Sequence, residues 1–190
     1  MSRRSRLGRL AAVGAGSLLI LAAGIGTAEA KPTGKAFEEQ AKAAHLTNAQ
    51  TAAIRSQVSY YLKKLGGKQT ALNQIDFNGG RMLIAIPGEA HPRNFASGSG
   101  KVMPSSSPCA PVGTFCAFQY PAYKGHIITM VACQTRDIPW NGSGSWINNQ
   151  TPGTRARMYN ARVQLIYTTP GAYSSDVSGN WTPVTTVSNC

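Results

Sequence analysis

The chain has few of the residues that enzymes use for acid–base chemistry. Its 190 residues include seven Asp and Glu and three His, against 19 Lys and Arg. The histidines are scattered along the chain: His45, His91 and His126. Beyond Cys109 the only acids are Asp137 and Asp176, and the sequence contains no Gly-x-Ser-x-Gly, His-Glu-x-x-His or phosphate-binding glycine loop. Because catalysis needs titratable groups that converge, we predict no catalytic residues and no enzymatic activity.

Cysteine is absent from the first 108 residues. The four cysteines then follow at spacings of six, sixteen and fifty-six intervening residues: Cys109, Cys116, Cys133 and Cys190. Zinc sites use paired short spacings such as Cys-x2-Cys, and no histidine lies near Cys190, so we expect no metal and no other cofactor. An even count in an exported chain predicts two disulfides, for which three pairings are possible. Hairpin geometry alone permits Cys109 to lie opposite Cys133.

The N-terminus has the pattern of a secretory signal peptide. It combines a cationic start, an apolar run and a small-x-small cleavage site: Arg3, Arg4, Arg6 and Arg9, then Leu10 to Ile25, then Ala28-Glu29-Ala30. The apolar run is shorter than the roughly 20 residues that span a membrane. We therefore predict that residues 1–30 are a signal peptide, cleaved near Ala30, and that the protein is secreted.

The mature chain is strongly basic. Residues 31–190 contain 15 basic and six acidic residues, a net charge of +9. Such a charge favours anionic partners, for example cell-wall polymers or acidic proteins. No dense Lys/Arg run alternates with aromatic residues, and export separates the protein from nucleic acid, so we expect no nucleic-acid partner.

Residues 31–87 predict a small α+β segment. Thr47 and Gln50 form a capping box, and apolar residues then recur at helical spacing, so we predict one helix over residues 48–64, stopped by Gly66-Gly67. The sequence Asn78-Gly79-Gly80 lies between two apolar runs and predicts a β-hairpin. One helix and one hairpin bury a marginal core. This segment is therefore either a pro-region or an element that docks on the rest of the chain.

The remainder divides into a linker and an all-β region. Residues 88–108 are rich in Gly, Pro and Ser and predict an exposed linker. From Cys109 onward, short apolar runs separated by Gly, Pro and Asn predict a sandwich or barrel. The candidate strands are Phe115–Tyr120, His126–Val131, Trp146–Ile147, Ala156–Tyr159, Val163–Tyr167 and Trp181–Val187.

The order of motifs after Cys109 resembles a known family. Cys109-x6-Cys116 is followed by an aromatic-x6-Gly element (Phe118 to Gly125, with Tyr123 between them), then Cys133, and then Ser145-Trp146-Ile147-Asn148-Asn149. This order resembles the βγ-crystallin-like domain of secreted actinobacterial peptidase inhibitors, whose type member inhibits thermolysin-like metalloproteases. The helix and the Asn78-Gly79-Gly80 stretch also resemble the pro-like segment that precedes this domain in related proteins.

The resemblance implies an all-β βγ-crystallin-like Greek-key sandwich over residues 109–190. It implies a folded corner formed by Phe118, Tyr123 and Gly125, to which Ser145 bonds back. It also implies the disulfides Cys109–Cys116 and Cys133–Cys190. Tyr167-Thr168-Thr169-Pro170-Gly171 resembles the second hairpin of the fold, with Ser174 where glycine is expected.

Members of this fold that bind calcium use an acidic or amide pair, two variable residues and then Ser/Thr-Ser. The corresponding stretch here begins at Trp140 and has Gly144 where a hydroxyl is needed, so that only Asn141 fits. We expect a structural turn here rather than a calcium site.

The resemblance implies that the protein inhibits an extracellular protease, possibly a thermolysin-like metalloprotease, as a monomer. An inhibitor presents a stiff extended loop, and two loops are candidates: Ala110–Phe115, and Thr151–Arg157 with Arg155 exposed. Val112, Phe115 or Ile147 would suit an apolar protease pocket, although Phe115 and Ile147 are equally expected in the core. Two alternatives remain open, an anionic-polymer binding module of the cell envelope that uses Lys63 and Lys64, and an antimicrobial, toxin-like protein.

Overall fold

The computed structural model describes residues 34–96, 100–102, 109 and 111–190, which belong to one compact unit. Within these ranges the chain forms two helices, α1 (Gly34–Ala43) and α2 (Asn48–Leu65). The strands are β1 (Lys68–Ala71), β2 (Gln74–Phe77), β3 (Gly80–Leu83), β4 (Arg93–Asn94), β5 (Lys101–Val102), β6 (Thr114–Tyr120), β7 (Lys124–Met130), β8 (Thr135–Asp137), β9 (Ser143–Asn149), β10 (Arg157–Tyr159), β11 (Leu165–Thr168), β12 (Ser174–Asn180) and β13 (Thr186–Ser188).

The protein is mostly β-sheet. A large antiparallel sheet has the strand order β1-β2-β3-β7-β6-β9-β12, and a smaller one has the order β11-β10-β13-β8. β4 and β5 form a separate ladder. Two antiparallel sheets with two short helices are consistent with the all-β sandwich predicted for the C-terminal part.

The two halves of the C-terminal part have the same order of connections between the sheets. β6 and β7 form a hairpin, β8 crosses to the small sheet, and β9 returns to lie beside β6. β10 and β11 form the next hairpin, β12 crosses to the large sheet, and β13 returns beside β10. Each half therefore contributes its third strand to the other half's sheet, which couples the two halves.

The N-terminal segment is part of the large sheet. β3 pairs with β7 along its whole length, from Gly80 opposite Met130 to Leu83 opposite Ile127. The strands of the segment thus extend the C-terminal sheet at the β7 edge. Of the two roles expected for residues 31–87, docking on the rest of the chain is the one seen here.

The core lies on one face of the large sheet. Helix α2 contributes buried Ile54, Val58 and Tyr61, which join a cluster with residues of both sheets. Tyr61 links the two parts directly, because its hydroxyl accepts a hydrogen bond from the Trp140 indole at 3.3 Å. The opposite face carries a smaller cluster around the Cys109–Cys116 disulfide and Phe118.

The predicted helix and hairpin are confirmed. Helix α2 starts at Asn48, with the reciprocal capping bonds between Thr47 and Gln50, and ends at Leu65 before Gly66. β2 and β3 form the hairpin, in which Gly79 has a φ of 76°. Helix α1 and strand β1 have no counterpart in the prediction.

The C-terminal strands agree with the prediction only in part. β6, β7, β9, β10 and β11 overlap the predicted strands, whereas β8 and β12 were not expected. The predicted strand Trp181–Val187 is wrong over most of its length, since β13 covers Thr186–Ser188 and Trp181 precedes it as a buried anchor. The second hairpin predicted around Tyr167 is also wrong. The hairpin is β10–β11, and its turn is held by Asn160 Oδ1, which accepts from the backbone N–H groups of Arg162 and Gln164.

The linker predicted over residues 88–108 is described only in part. In that part Phe95 is buried, and Arg93 pairs with Glu89 and donates to the Ala44 carbonyl at 3.0 Å. These contacts hold Arg93 and Phe95 against α1, whereas Gly88, Ala90, Ala96 and Lys101 are exposed, so the described part of the stretch is packed at some positions and exposed at others.

The signal segment, residues 1–30, lies outside the described residues. Among the helices that are described, none has the length and apolar character needed to cross a membrane.

Candidate functional site

Two disulfides brace the C-terminal part. They join Cys109 to Cys116 and Cys133 to Cys190, with Cα–Cα distances of 6.0 and 5.3 Å. This is the pairing that the family resemblance implied. Two disulfides suggest an oxidising environment of the kind found outside the cell.

The Cys109–Cys116 disulfide closes a short loop whose carbonyl groups are held from within. The carbonyl of Cys109 accepts from Asn149 Nδ2 at 2.6 Å and from Thr114 Oγ1 at 3.3 Å. The carbonyl of Pro111 accepts from the same two side chains, at 3.2 and 2.8 Å. The Gly113 N–H donates to the Asn149 carbonyl at 2.8 Å. Asn149 and Thr114 therefore fix the backbone at Cys109, Pro111 and Gly113, and we call residues 109–116 the braced loop; Ala110, the first residue of the predicted loop, lies outside the described residues.

Val112 and Phe115, both candidates for the inhibitory contact, have opposite environments. Val112 lies at the outer end of the braced loop and keeps 60% of its surface exposed. Phe115 is fully buried and stacks on Trp146, with ring centroids 6.3 Å apart. The assignment of Phe115 to the inhibitory contact is therefore wrong, because β6 is already formed at that position and its side chain belongs to the core. Ile147 is half-buried against the cluster around Cys109.

The second candidate loop, Thr151–Arg157, is bonded to the chain around Thr169 in its second half. Arg155 is exposed as expected, but its Nε donates to the Thr169 carbonyl at 2.7 Å. The next residue, Ala156, is buried and its N–H donates to Thr169 Oγ1. Residues 151–153 are exposed. Because the side chain of Arg155 already bonds to Thr169, this loop is a poorer candidate for insertion into a protease cleft than the braced loop.

The four residues predicted to form a folded corner lie together. The rings of Phe118 and Tyr123 are 5.4 Å apart. Ser145 Oγ accepts from the Tyr123 N–H at 2.9 Å and donates to the Tyr120 carbonyl at 2.7 Å. Gly125 has a φ of 80°, and a Cβ there would lie 2.6 Å from the Tyr120 ring, so only glycine fits.

The stretch compared with a calcium site is filled by aromatic packing. Trp140 is buried in the core. A Cβ on Gly144 would lie 1.9 Å from the Trp181 indole nitrogen, which donates to the Phe118 carbonyl at 2.8 Å. Within the described ranges, no three His, Cys, Asp or Glu side chains are placed to hold a metal ion.

Two of the three histidines, His91 and His126, belong to neighbouring segments, because the Gly125 N–H donates to the Ala90 carbonyl at 2.8 Å. His126 is buried, and its Nδ1 accepts from the Ala85 N–H at 3.0 Å. Burial lowers the pKa of His126 to about 4, because the charged imidazolium would lose its hydration. His45 is exposed at the end of α1, and His91 lies in the partly packed stretch after β3. His126 therefore has a structural environment, neutral and hydrogen-bonded.

A further surface was not found from the sequence. Seven consecutive residues, 161–167, are exposed, and they include Val163, Leu165, Ile166 and Tyr167. Behind them, a cleft of about 250 Å³ opens between β11 and β12. The run of apolar residues is visible in the sequence, where it predicts only a strand, Val163–Tyr167.

Comparison of the chain with protein-family models, with curated proteins and with solved structures finds no match.

Proposed function

We propose that the protein is a secreted inhibitor of an extracellular protease and that the braced loop is its contact surface. The observation that carries the proposal is that two side chains, Asn149 and Thr114, both hold the backbone carbonyl groups of the loop. The Cys109 and Pro111 carbonyls are each held by two side chains, while Val112 between them and Cys116 remains 60% exposed.

Rigidity of this kind is what inhibition requires. A flexible segment bound in a protease cleft pays conformational entropy on binding and is released after cleavage, whereas a pre-formed segment pays little. The disulfide closes the loop covalently, and Thr114 is itself buried, so its hydroxyl is fixed in place. A peptide bond broken in such a loop would leave both new ends held in position.

The side chain that the loop presents is apolar. Val112 is flanked by Pro111 and by Gly113, which has a φ of 96°, so the chain turns immediately after it. A thermolysin-like protease selects apolar residues beside the cleaved bond, and this preference makes a metalloprotease the first target class to test.

The topology supports a βγ-crystallin-like Greek key as the scaffold. In each half a hairpin is followed by a strand that crosses to the other sheet and by a strand that returns beside the first. The Ser145 bonds to Tyr123 and Tyr120 hold the corner of the first half closed. This scaffold leaves the loop before β6 at one end of the large sheet, next to Asn149 at the end of β9.

The test is inhibition of a thermolysin-like protease by residues 31–190, with a trypsin-like and a papain-like protease alongside. We expect tight inhibition of at least one of them. Val112→Asp places a charge in the apolar pocket and should weaken inhibition at least about 100-fold, since an unpaired buried charge costs several kcal/mol. Val112→Leu should retain inhibition.

The matched control is Val177→Asp, because Val177 is 55% exposed and its carbonyl accepts from the Ala122 N–H in the β6–β7 turn, at the opposite end of β6 from the braced loop. This variant should inhibit like the wild type. Absence of inhibition of all three proteases, with the chain simply degraded, would refute the proposal. Salt-sensitive co-sedimentation with cell walls, lost on charge reversal of Lys63 and Lys64, would then favour envelope binding.

A further inference from the structure

Each of the two sheets ends in an edge strand that is paired on one side only, and both edge strands line the same cleft. β11 is the edge of the small sheet and β12 the edge of the large one. The cleft between them is lined by Ile166 and Tyr167 from β11, Asp176 and Gly179 from β12, and Trp146 from β9. We call this surface, β11 together with the cleft, the edge cleft.

The β11 edge lacks the usual protection against strand pairing. Natural edge strands carry Lys, Pro or inward charges, which prevent another strand from adding to them. From Val163 to Thr168 the chain has no charged residue and no proline. Val163 is 79% exposed and Leu165 53% exposed, and both Ile166 and Tyr167 remain exposed as well. This edge is suited to accept a further strand through backbone hydrogen bonds.

A donor and an acceptor line the cleft. A Cβ built on Gly179 would lie 3.5 Å from the Trp146 indole nitrogen and 3.4 Å from Asp176 Oδ2, so both atoms face the space above Gly179. Asp176 Oδ1 accepts from the Ser178 N–H at 2.8 Å, and Asp176 forms no ion pair with any residue that the structure describes. A segment bound above Gly179 would therefore meet an indole N–H and a carboxylate oxygen.

The charge around the edge cleft selects the kind of partner. Residues 138–175 contain three arginines and no acidic residue, and the cleft itself is lined by one acid, Asp176. Two of the arginines flank β11: Arg162 lies in the turn before it, and Arg155 bonds to the Thr169 carbonyl just after it. The third, Arg157 on β10, donates to the Cys190 carbonyl at 2.7 Å, on the β13 side. A second copy of this chain would bring the same arginines together across a two-fold axis, which like-charge repulsion disfavours. An acidic strand would meet them favourably.

We propose that the edge cleft binds an extended acidic segment of a partner protein. The segment adds to β11 as a further antiparallel or parallel strand, and its acidic side chains pair with Arg155 and Arg162. One of its apolar side chains enters the cleft beside the rings of Trp146 and Tyr167, which contact each other with centroids 6.2 Å apart. This site uses none of the residues of the braced loop, so it stands independently of the proposed inhibitory function.

The experiment starts from peptides selected on the protein itself. A library of random 12-residue peptides displayed on phage is panned on residues 31–190 and, in parallel, on the variant Leu165→Lys, which places a charge on the edge. We expect peptides enriched only on the wild type, rich in Asp and Glu and alternating with apolar residues. No enrichment over the variant, or enrichment of basic peptides, would overturn the proposal.

Strand addition is then tested on the best peptide, made synthetically and followed by fluorescence anisotropy. N-methylation of alternate residues removes the N–H groups that face β11 in one of the two registers. One methylated set should weaken binding at least about 10-fold, and the other should leave it unchanged. Equal binding of both sets would exclude pairing with an edge strand.

Single substitutions test how much the arginine charge and the cleft each contribute to peptide binding. Arg162→Glu should weaken the peptide about 10-fold at low salt and less at high salt, because exposed pairs are screened. Asp176→Asn tests whether the carboxylate in the cleft affects peptide binding, because asparagine has nearly the same size as aspartate. Val131→Lys, on an exposed residue outside the edge cleft, should bind like the wild type. A wild-type dimer that Leu165→Lys dissociates would overturn the proposal by identifying a second copy as the occupant.

Discussion

His126 illustrates how burial alone sets the behaviour of a residue. Its ring packs edge-on against Tyr61, with centroids 5.5 Å apart, and Nδ1 accepts from the Ala85 N–H. The hydrogen bond needs the neutral imidazole, since a protonated Nδ1 is a donor and would face another donor. The pKa of about 4, against 6.5 in an exposed histidine, follows from this burial.

This environment makes the stability of the protein depend on pH. Below pH 6.5 His126 is protonated in the unfolded chain, whereas in the folded chain it stays neutral down to about pH 4. The free energy of unfolding should therefore fall as the pH drops from 6.5 to 4, by up to about 3 kcal/mol, and change little from this cause below that range. Urea unfolding at pH 7.5, 5.5 and 4.5 measures the fall.

Variants separate His126 from the other titrating groups. His126→Asn keeps an acceptor near the Nδ1 position and cannot titrate, so most of the fall between pH 7.5 and 4.5 should disappear. His45→Asn is the matched control, because His45 is exposed with a φ of 53°, a conformation that asparagine tolerates. An unchanged pH dependence in His126→Asn would contradict the assignment.

The candidate contact residues show where sequence patterns fail at this scale. Val112 and Phe115 are both apolar and belong to the same short segment. Strand β6 is buried on both faces, from Thr114 to Phe118, so the alternation of exposed and buried residues that would separate them is missing. The position of Phe115 follows from Trp146, a residue 31 positions away, and no local signal contains that contact.

At the level of elements, the packing of β9 against the chain after β12 depends on one missing side chain. Gly144 lies beneath the Trp181 indole, and its hypothetical Cβ would be 2.7 Å from the Phe118 carbonyl as well. The Trp181 ring is held there because its N–H donates to that carbonyl. Glycine at this position is therefore required by packing between β6, β9 and Trp181.

Gly144→Ala should accordingly destabilise the protein by about 3 kcal/mol, at the upper end of the cost of overpacking a core. Gly171→Ala is the control, since its new Cβ would be 3.6 Å from the nearest atom and its φ is not positive. Urea unfolding followed by tryptophan fluorescence reports both the stability and the Trp181 environment. A loss below about 1 kcal/mol in Gly144→Ala would show that Trp181 moves freely.

Elements with strong local signals were predictable, and those defined by their neighbours were not. The capping box of α2 and the Asn78-Gly79 turn act within a few residues, so the sequence contains them. Strand β12, Ser174–Asn180, is polar and includes Asp176 and Gly179, so its own composition disfavours a strand. It exists because β9 offers an edge with which it pairs.

At the scale of the whole molecule, the division into an N-terminal and a C-terminal part is one of sequence and not of packing. Cysteine content and composition change near residue 108, and this change suggested two separable parts. The pairing of β3 with β7 and the Tyr61–Trp140 bond cross that boundary. Contacts between residues so far apart in sequence leave no trace in local composition.

Residues 109–190 should therefore not fold stably when expressed alone. The fragment loses β3 and so leaves the β7 edge unpaired, and it loses the buried residues of α2, β1, β2 and β3 that form one core cluster with Ile128 and Met130. Removing this much buried apolar surface exceeds the net stability of a typical domain of this size, which is about 5–15 kcal/mol. Far-ultraviolet and near-ultraviolet circular dichroism, recorded during heating, should show a cooperative transition for residues 31–190 and none for the fragment.

Addition of the missing part distinguishes loss of contacts from misfolding of the fragment. A peptide of residues 31–96, mixed with the oxidised fragment, should restore the near-ultraviolet signal, because it resupplies β3 and α2 together. The same peptide with Met82→Asp should fail, since Met82 is buried opposite Ile128 in the β3–β7 pair. A fragment that unfolds cooperatively at the same temperature as the longer chain would mean that β7 is stable as an edge and that the N-terminal part contributes no stability to the sandwich.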